Sequence, residues 1–281
     1  MDVQYDLSGK NTLVTGGGTG IGKGCALELF KAGANVTIAG PDESILKQAS
    51  DEIKSSGPEG GSIDCILCDV TQEDQVKAAV EFAARGEPLH IALANAGTGF
   101  LPGPILALTA DQWKPSYDVN VVGTAMTIKH AALLMKAHGG GSIICISSTT
   151  SQRAARFMAP YCVTKAGVDR LVQCAAVELG PFNIRVNAIR PGYTVTDATD
   201  LAFTDEFKQN YIRKTPLGRA GHPLDIAKSV IFLASSQSEW VTGQVFCACG
   251  GFGIDQGENF EHVARMVHGD DVIDAALTIN K

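Results

Sequence analysis

The sequence predicts an α/β protein: a single domain built on a doubly wound, seven-stranded parallel sheet with helices on both faces. Three observations predict it. Short apolar runs alternate with helix-length stretches along nearly the whole chain. The runs are apolar on both faces, as strands covered from above and below must be. Helix-length crossovers separate them, which is what parallel neighbours require.

The elements follow in order. "NTLVTG" is a short apolar run ending in glycines, and a helix-like "GIGKGCALELFKAGA" follows it. "NVTIAG" and "DESILKQASDEIKSSG" make the second strand and helix. "SIDCILC" leads to "TQEDQVKAAVEFAARG", whose Thr71 and Asp74 suit a helix start. "LHIALANAG" is the fourth strand and "GSIICISS" the fifth, with a long helix between them inside Trp113 to His138. "NIRVNAIRPG" is the sixth, after a helix near Pro160 to Gly180. "GQVFCACGG" is the seventh, after "PLDIAKSVIFLAS". Residues 254–281 depart from this rhythm and form a C-terminal extension to the 1–253 domain. Phe260, Val263 and Val267 recur there at helical spacing, so the tail is expected to dock on its own subunit or on a neighbour.

Composition narrows the function. A chain of 281 residues is near the upper end of what one core holds. With 45% hydrophobic and 19% charged residues it reads as an ordinary globular protein. A net charge of −7 argues against a nucleic-acid surface. No apolar run approaches a membrane span, and "MDVQYDLSGK" lacks an apolar signal segment, so a cytoplasmic location is expected. Cys65 and Cys68 form a CxxC, but positions three apart on a strand point to opposite faces. Cys247 and Cys249 share a face and lack partners. The cysteines therefore read as small buried hydrophobes, and no metal site is expected.

"TGGGTGIGKG", Thr15 to Gly24, poses the central question. Gly17, Gly22 and Lys23 fit the triphosphate loop G-x-x-x-x-G-K, but Gly24 stands where Ser or Thr would hold magnesium. Gly16, Gly20 and Gly22 fit a variant dinucleotide loop, G-x-x-x-G-x-G. There a strand turns sharply, the backbone approaches phosphate and a helix N-terminus faces the charge. A glycine-rich turn without a ligand is the third reading. Distant residues decide. "YCVTK" puts Tyr161 and Lys165 on one helix face, four residues apart. "ISS" puts Ser148 at the end of the fifth strand, "LANAG" puts Asn95, Ala96 and Gly97 at the end of the fourth, and "RPG" puts Pro191 and Gly192 at the end of the sixth. All collect at the carboxyl edge of the sheet, where open α/β sheets bind ligands.

The segments "TGGGTGIG", "CDV", "NAG", "YDVNVVG", "SS", "YCVTK", "RPGYTVT" and "TGQVF…GG", in this order from about residue 8 to residue 253, resemble the short-chain dehydrogenase/reductase family. The resemblance implies a Rossmann-like fold, an NAD or NADP cofactor and hydride transfer between nicotinamide and an alcohol or ketone carbon. It implies that Ser148, Tyr161 and Lys165 carry the chemistry, with Asn120 supporting a water-linked proton path to the lysine. Tyrosine ordinarily titrates near pH 10, and a neighbouring ammonium favours the phenolate. Ser148 would hold the substrate oxygen beside Tyr161, and Lys165 would also contact the nicotinamide ribose. Backbone at Gly16, Thr19, Gly20, Ile21 and Gly22 would hold the pyrophosphate. Asp69 would take the adenine amine and Val70 pack its ring. Asn95, Ala96 and Gly97 would line the adenosine ribose. Pro191, Gly192, Thr194 and Thr196 would border the carboxamide and phosphates. At the ribose 2′ position the family's discriminating aspartate and arginine are replaced by Gly40 and Pro41. Asp42 either reaches the ribose or caps the next helix. With no cation evident for an extra phosphate, the expectation leans to NAD.

Substrate loops are expected at 98–110, 149–160 and 193–215, carrying Phe100, Leu101, Phe157, Met158, Tyr193, Leu201, Phe203 and Phe207. They suit an apolar hydroxysteroid-like or 3-oxoacyl-type substrate. Arg153 and Arg156 are candidates to meet an anionic one. The resemblance also implies a homo-oligomer, commonly a tetramer, paired through the helices within 116–138 and 160–180. The family's aspartate before the last "GG" is here Cys249. A non-catalytic dinucleotide-binding redox sensor is the alternative from another class.

Overall fold

The computed structural model describes residues 5–56, 61–99, 102–254 and 257–278. Seven strands form its sheet: β1 (Asn11–Thr15), β2 (Asn35–Gly40), β3 (Ser62–Leu67), β4 (Ile91–Ala94), β5 (Gly141–Ile146), β6 (Ile184–Pro191) and β7 (Val245–Ala248). Their order is β3-β2-β1-β4-β5-β6-β7, every neighbouring pair parallel. The chain runs outward from β1 through β2 to β3, then returns to the other side of β1 for β4. That reversal opens a crevice at the carboxyl ends of β1 and β4. The doubly wound parallel sheet expected from the sequence is the one observed. The central strands are buried throughout, whereas β3 and β7 at the edges are only partly covered.

Helices cover both faces. Helices α1 (Gly20–Lys31), α2 (Glu43–Ser55) and α3 (Glu73–Ala84) follow the first three strands. The Trp113–His138 stretch is more complex than one helix. It divides into α4 (Ala110–Tyr117), a π-helical turn at Asp118–Gly123 and α5 (Thr124–Ala137). Pro115 lies inside α4 and supplies no backbone N–H. A wide turn inserts an extra residue and re-aims the side chains it carries. Asn120 sits on this turn with 0% of its surface exposed. Helices α6 (Ala159–Leu179), α7 (Asp197–Ala202), α8 (Asp205–Arg213) and α9 (Pro223–Ala234) follow before β7.

The core divides at the sheet. On one side, Val76 and Val80 of α3, Ile128 and Met135 of α5, and Val168 and Val172 of α6 pack on the strands. On the other, Leu29 of α1, Leu46 of α2 and Val230 of α9 do so. The CxxC behaves as strand geometry requires: Cys65 packs against the second cluster and Cys68 belongs to the first. Thr71 does not start α3. Gln72 occupies the N-cap, and the Thr71 amide and hydroxyl both donate to Asp69 Oδ1, at 2.9 and 2.8 Å. An Asx turn after β3 has taken the threonine from the helix.

The tail after β7 forms two short helices, α10 (Glu261–His268) and α11 (Asp270–Leu277). Arg265 joins them, binding Glu261 at 2.7 Å and Asp274 at 2.7 Å. Phe260, Val263 and Val267 are exposed rather than seated in a core. No helix among the described residues is long and apolar enough to cross a membrane.

Ile144, in β5 between the two clusters, is fully buried. Ile144→Ala is expected to lower the unfolding free energy by about 2–5 kcal/mol, measured as a lower urea midpoint with an unchanged m-value.

Candidate active site

The glycine loop is held by residues that are not glycine. Thr15 ends β1, and its buried hydroxyl accepts the amides of Asn95 and Ala96, each at 3.1 Å. Asn95 returns the contact, its Nδ2 donating to the carbonyls of Thr15 and Gly16 at 3.0 Å. These bonds tie the ends of β1 and β4 together across the crevice. The chain then turns through Gly16, whose φ of +63° only glycine adopts cheaply. A Cβ on Gly16 would stand 2.9 Å from Ala96 Cα, and one on Gly22 would stand 2.5 Å from Asn95 Nδ2. The bare backbone leads directly into α1. Its first amides, at the positive end of the helix, face the cleft. Such a cradle fits a pyrophosphate. Thr196, the N-cap of α7, leans over it, so that a Cβ on Gly20 would lie 3.2 Å from Thr196 Cγ2.

One cavity of about 1030 Å³ runs along this edge. It is lined by Gly16, Thr19, Gly20, Ile21 and Gly22, by Asp69 and Val70, and by Asn95, Ala96 and Gly97. Ser148, Tyr161, Lys165, Pro191, Gly192, Thr194 and Thr196 complete the set singled out from the sequence. Asn120 is the exception and lies behind the wall. Its Oδ1 accepts the Thr98 amide at 2.9 Å, and its Nδ2 donates to the Thr98 carbonyl at 3.0 Å and to Thr164 Oγ1 at 3.1 Å. The asparagine therefore fixes the backbone that follows Gly97.

At the cavity floor, Ser148 leaves β5 in extended conformation and caps a short turn, its Oγ accepting from the Thr150 amide at 3.2 Å and from its hydroxyl at 2.9 Å. The preceding Ser147 is turned to the protein, donating to the Lys165 carbonyl at 3.2 Å. Helix α6 starts with Pro160 in its first turn, where no N–H is needed. Tyr161 and Lys165 follow one turn apart. Lys165 is 4% exposed, and its Nζ donates to the Ile146 carbonyl at 2.8 Å. The ammonium lies 5.8 Å from the Tyr161 ring centre. Burial pushes the lysine down to about 8, against the opposing pull of Cys145 and Asp169. Burial also raises the Tyr161 phenol, and a hydrogen bond with Ser148 pulls it back. The sequence predicts a tyrosine lowered by its lysine. In this geometry desolvation of the phenol is the larger effect, and the lysine has turned to the strand carbonyl.

At the end of the cavity beside β2, Gly40 and Pro41 form part of the lining. Asp42 does not turn toward it: its Oδ1 accepts the Ser44 and Ile45 amides, at 2.9 and 3.1 Å, as the N-cap of α2. The opposite end is aromatic. Phe203, Phe207 and Tyr211 succeed one another at intervals of four across α7 and α8, with neighbouring ring centres 4.4 and 6.4 Å apart. Tyr193 meets Phe203 edge-on at 5.7 Å, and Phe252 stacks on Tyr211 at 3.8 Å. Met158 adds to the lining. The sequence does not single out Tyr211 and Phe252. It does single out Phe157 and Leu201, but neither lines the cavity, and Leu201 is 90% exposed. Phe100 and Leu101 lie outside the described residues. Arg153 is engaged by the protein, donating to the Phe252 and Ile254 carbonyls at 2.6 and 3.1 Å. Among the described residues no group of three or more His, Cys, Asp or Glu could hold a metal ion.

Comparison with known proteins places this site in a class. The family model described as enoyl-(acyl carrier protein) reductase matches residues 16–253. The 7alpha-hydroxysteroid dehydrogenase of Escherichia coli (strain K12) is 36% identical over 246 residues, covering 87% of this chain and 94% of that one. A short-chain type dehydrogenase/reductase from Mycobacterium ulcerans superposes with a TM-score of 0.85 at 38% identity, covering 97% of this chain and 100% of that one. A 7 alpha-hydroxysteroid dehydrogenase complexed with NADH and 7-oxo glycochenodeoxycholic acid superposes at 0.83 with 34% identity, covering 88% of this chain and 96% of that one. The chain belongs to the short-chain dehydrogenase/reductase family. It is an NAD(P)-dependent oxidoreductase that acts on alcohol and ketone carbons.

Thr15→Val keeps the shape of the β1 terminus, leaves the Ala96 amide without its acceptor and leaves the Asn95 amide only the Leu93 carbonyl. It is expected to cost about 1–3 kcal/mol of stability and to weaken NADH binding, read by quenching of protein fluorescence, because the cradle loses its anchor.

Proposed function

We propose that the protein interconverts an apolar secondary alcohol and its ketone with Ser148, Tyr161 and Lys165 as its catalytic residues. The observation that carries this reading is their convergence on one cavity floor, with the Ser148–Tyr161 hydrogen bond and the Lys165 ammonium beside the ring. When bound, the nicotinamide gives or takes the hydride. Ser148 holds the substrate oxygen. Tyr161 removes the alcohol proton in oxidation and returns it in reduction. Lys165, held charged, favours the phenolate. Asn120 keeps the Thr98 backbone in place beneath them, and so supports the proton path to the lysine.

The cofactor residues are proposed in the same way. Backbone of Gly16, Thr19, Gly20, Ile21 and Gly22 takes the pyrophosphate, with Thr194 and Thr196 across from it and Pro191 and Gly192 beside the carboxamide. Asp69 and Val70 take the adenine, and Asn95, Ala96 and Gly97 the ribose. NAD is the preferred form. The cations lining the cavity are Arg153, Arg156, Lys165 and Lys214, and none of them comes from the loop after β2.

The aromatic wall suits a rigid apolar body, as in hydroxysteroid-like or 3-oxoacyl-type substrates. We assign the catalytic domain to residues 1–253 and the extension to 254–281. Exposed Tyr117 and Leu133 and exposed Val163 and Val177 support pairing of copies through 116–138 and 160–180, as a homotetramer. Eight free cysteines suit a cytoplasmic, reducing compartment.

Tyr161→Phe is expected to lower turnover about 10²-fold or more while NADH still binds. Near-normal turnover would overturn the assignment. Because burial raises the phenol, alcohol oxidation is expected to accelerate as pH rises until Lys165, pushed down to about 8, sheds its proton, and ketone reduction to persist at lower pH. The ratio of kcat/KM for NAD over NADP is expected to be well above one, and a large excess for NADP would refute the cofactor reading.

A further inference from the structure

Tyr161 and Lys165 do not end the polar stripe on α6. One turn further along the same face is Asp169, 7% exposed. From β6, Arg190 donates both Nε and Nη2 to a single oxygen, Oδ2, at 3.0 and 2.8 Å. The other oxygen, Oδ1, is buried without a hydrogen-bond partner. A carboxylate kept for its pairing with arginine would use both oxygens in a fork. An orphaned buried oxygen carries a desolvation penalty that the pair itself does not explain.

We propose that Asp169 is a positioning residue for the reaction, its carboxylate holding Lys165 in the charged form while Arg190 limits how strongly that charge is felt. The proposal rests on the reading of Tyr161 and Lys165 given above.

The groups facing Lys165 leave this task to one side chain. On its own helix are Tyr161 and Asp169. From β5 come the Ile146 carbonyl, 2.8 Å from Nζ, and the Cys145 thiol, which burial pushes up to about 12 and so keeps neutral. The wide turn contributes the neutral amide of Asn120. It approaches the lysine across Gly97, where an added Cβ would lie 3.2 Å from Asn120 Oδ1 and 3.3 Å from Lys165 Nζ. From β6, Arg190 acts through Asp169 and also contacts Gln152 Oε1 at 3.0 Å and the Cys247 thiol, itself raised by burial. Among the described residues, Asp169 is thus the one anion set against the buried ammonium. It supplies the charge that desolvation of Lys165 works against.

The two partners of the Asp169–Arg190 pair should therefore act in opposite senses. Removing the carboxylate leaves a guanidinium facing an ammonium, and Lys165 sheds its proton more readily. Removing the guanidinium leaves the carboxylate's field at full strength. The full-length protein, made with isotope-labelled lysine, is titrated by NMR, with the Lys165 signal assigned through Lys165→Arg. Asp169→Asn is expected to lower the Lys165 midpoint by about one pH unit, and the alkaline limb of the kcat profile should fall with it. Arg190→Gln, which retains a donor for Asp169, should raise the midpoint, and Asp169→Glu should restore the parent value. A midpoint unmoved in both Asp169→Asn and Arg190→Gln, or moved the same way in both, overturns the proposal. Should Asp169→Asn not fold, Arg190→Gln decides alone: a rise supports the assignment, and no change or a fall overturns it. The NMR titration needs no turnover. A Tyr161→Phe enzyme of normal activity would sink the catalytic reading and leave the hold of Asp169 on the lysine's proton intact.

Discussion

An ammonium taken out of water is the constraint around which this site is organised. Burying the Lys165 charge is unfavourable unless acceptors and an opposite charge replace its hydration. The protein supplies the Ile146 carbonyl at the end of β5 and the Asp169 carboxylate one turn along α6. The first of these bonds docks α6 on β5. Ser147 reinforces the docking from the strand side through the Lys165 carbonyl. Once strand and helix are joined at that point, Ser148 and Tyr161 have nowhere to face except the cavity. Three side chains from two elements are thus placed by one docking interaction. Its cost appears in the lowered affinity of the lysine for its proton.

The opposite wall obeys a different constraint, the satisfaction of buried amides. Asn120 reaches inward from a wide helical turn and satisfies both backbone groups of Thr98. Thr15 and Asn95 do the same for the ends of β1 and β4. Neither device touches the cavity centre, yet together they fix the backbone on both sides of Gly97. That glycine lets the Asn120 amide and the Lys165 ammonium approach from either side without a side chain between them. The two walls therefore meet across bare backbone at Gly97.

Much of this could be read from the sequence, and the limits have physical causes. Apolar runs separated by helix-length stretches mark all seven strands, most plainly the central ones, which are covered on both faces and have little polar alternation to hide them. The spacing of Tyr161 and Lys165 placed both on one face, because four residues is a property of any α-helix. The Trp113–His138 segment holds the long helix expected within it, α5, but the wide turn ahead of that helix has no such mark. A period of 3.6 residues cannot reveal a turn that takes one residue more, so the inward aim of Asn120 had no periodic signature. Asp42 offered two roles, and the local one prevailed, since free amides two and three residues away are nearer than any ribose. The Asp169–Arg190 pair was silent because its members are 21 residues apart in the chain and meet only when β6 lies beside α6.

The same division explains why the chemistry was easier to read than the substrate. At the glycine-loop end, the backbone forms much of the surface, and backbone at a sharp turn restricts the residue to glycine. The ligand's demand is therefore written into the sequence. At the other end, the surface is the side chains of α7, α8 and the loop after β7, which meet as an aromatic stack from Tyr193 to Phe252. Any apolar residue there would also pack, so the sequence carries no mark separating lining from support. Phe157 and Phe207 look equivalent in the chain, but one lies on the outer surface with Arg156 over its ring, and the other lines the cavity. Arg153 is similarly diverted: it clamps the chain just after β7 at Phe252 and Ile254, and so holds in place the ring that completes the wall. In the reading proposed above, the sheet's carboxyl edge fixes where the hydride moves, and the molecule that receives it is chosen by a wall that can be rebuilt without disturbing that edge.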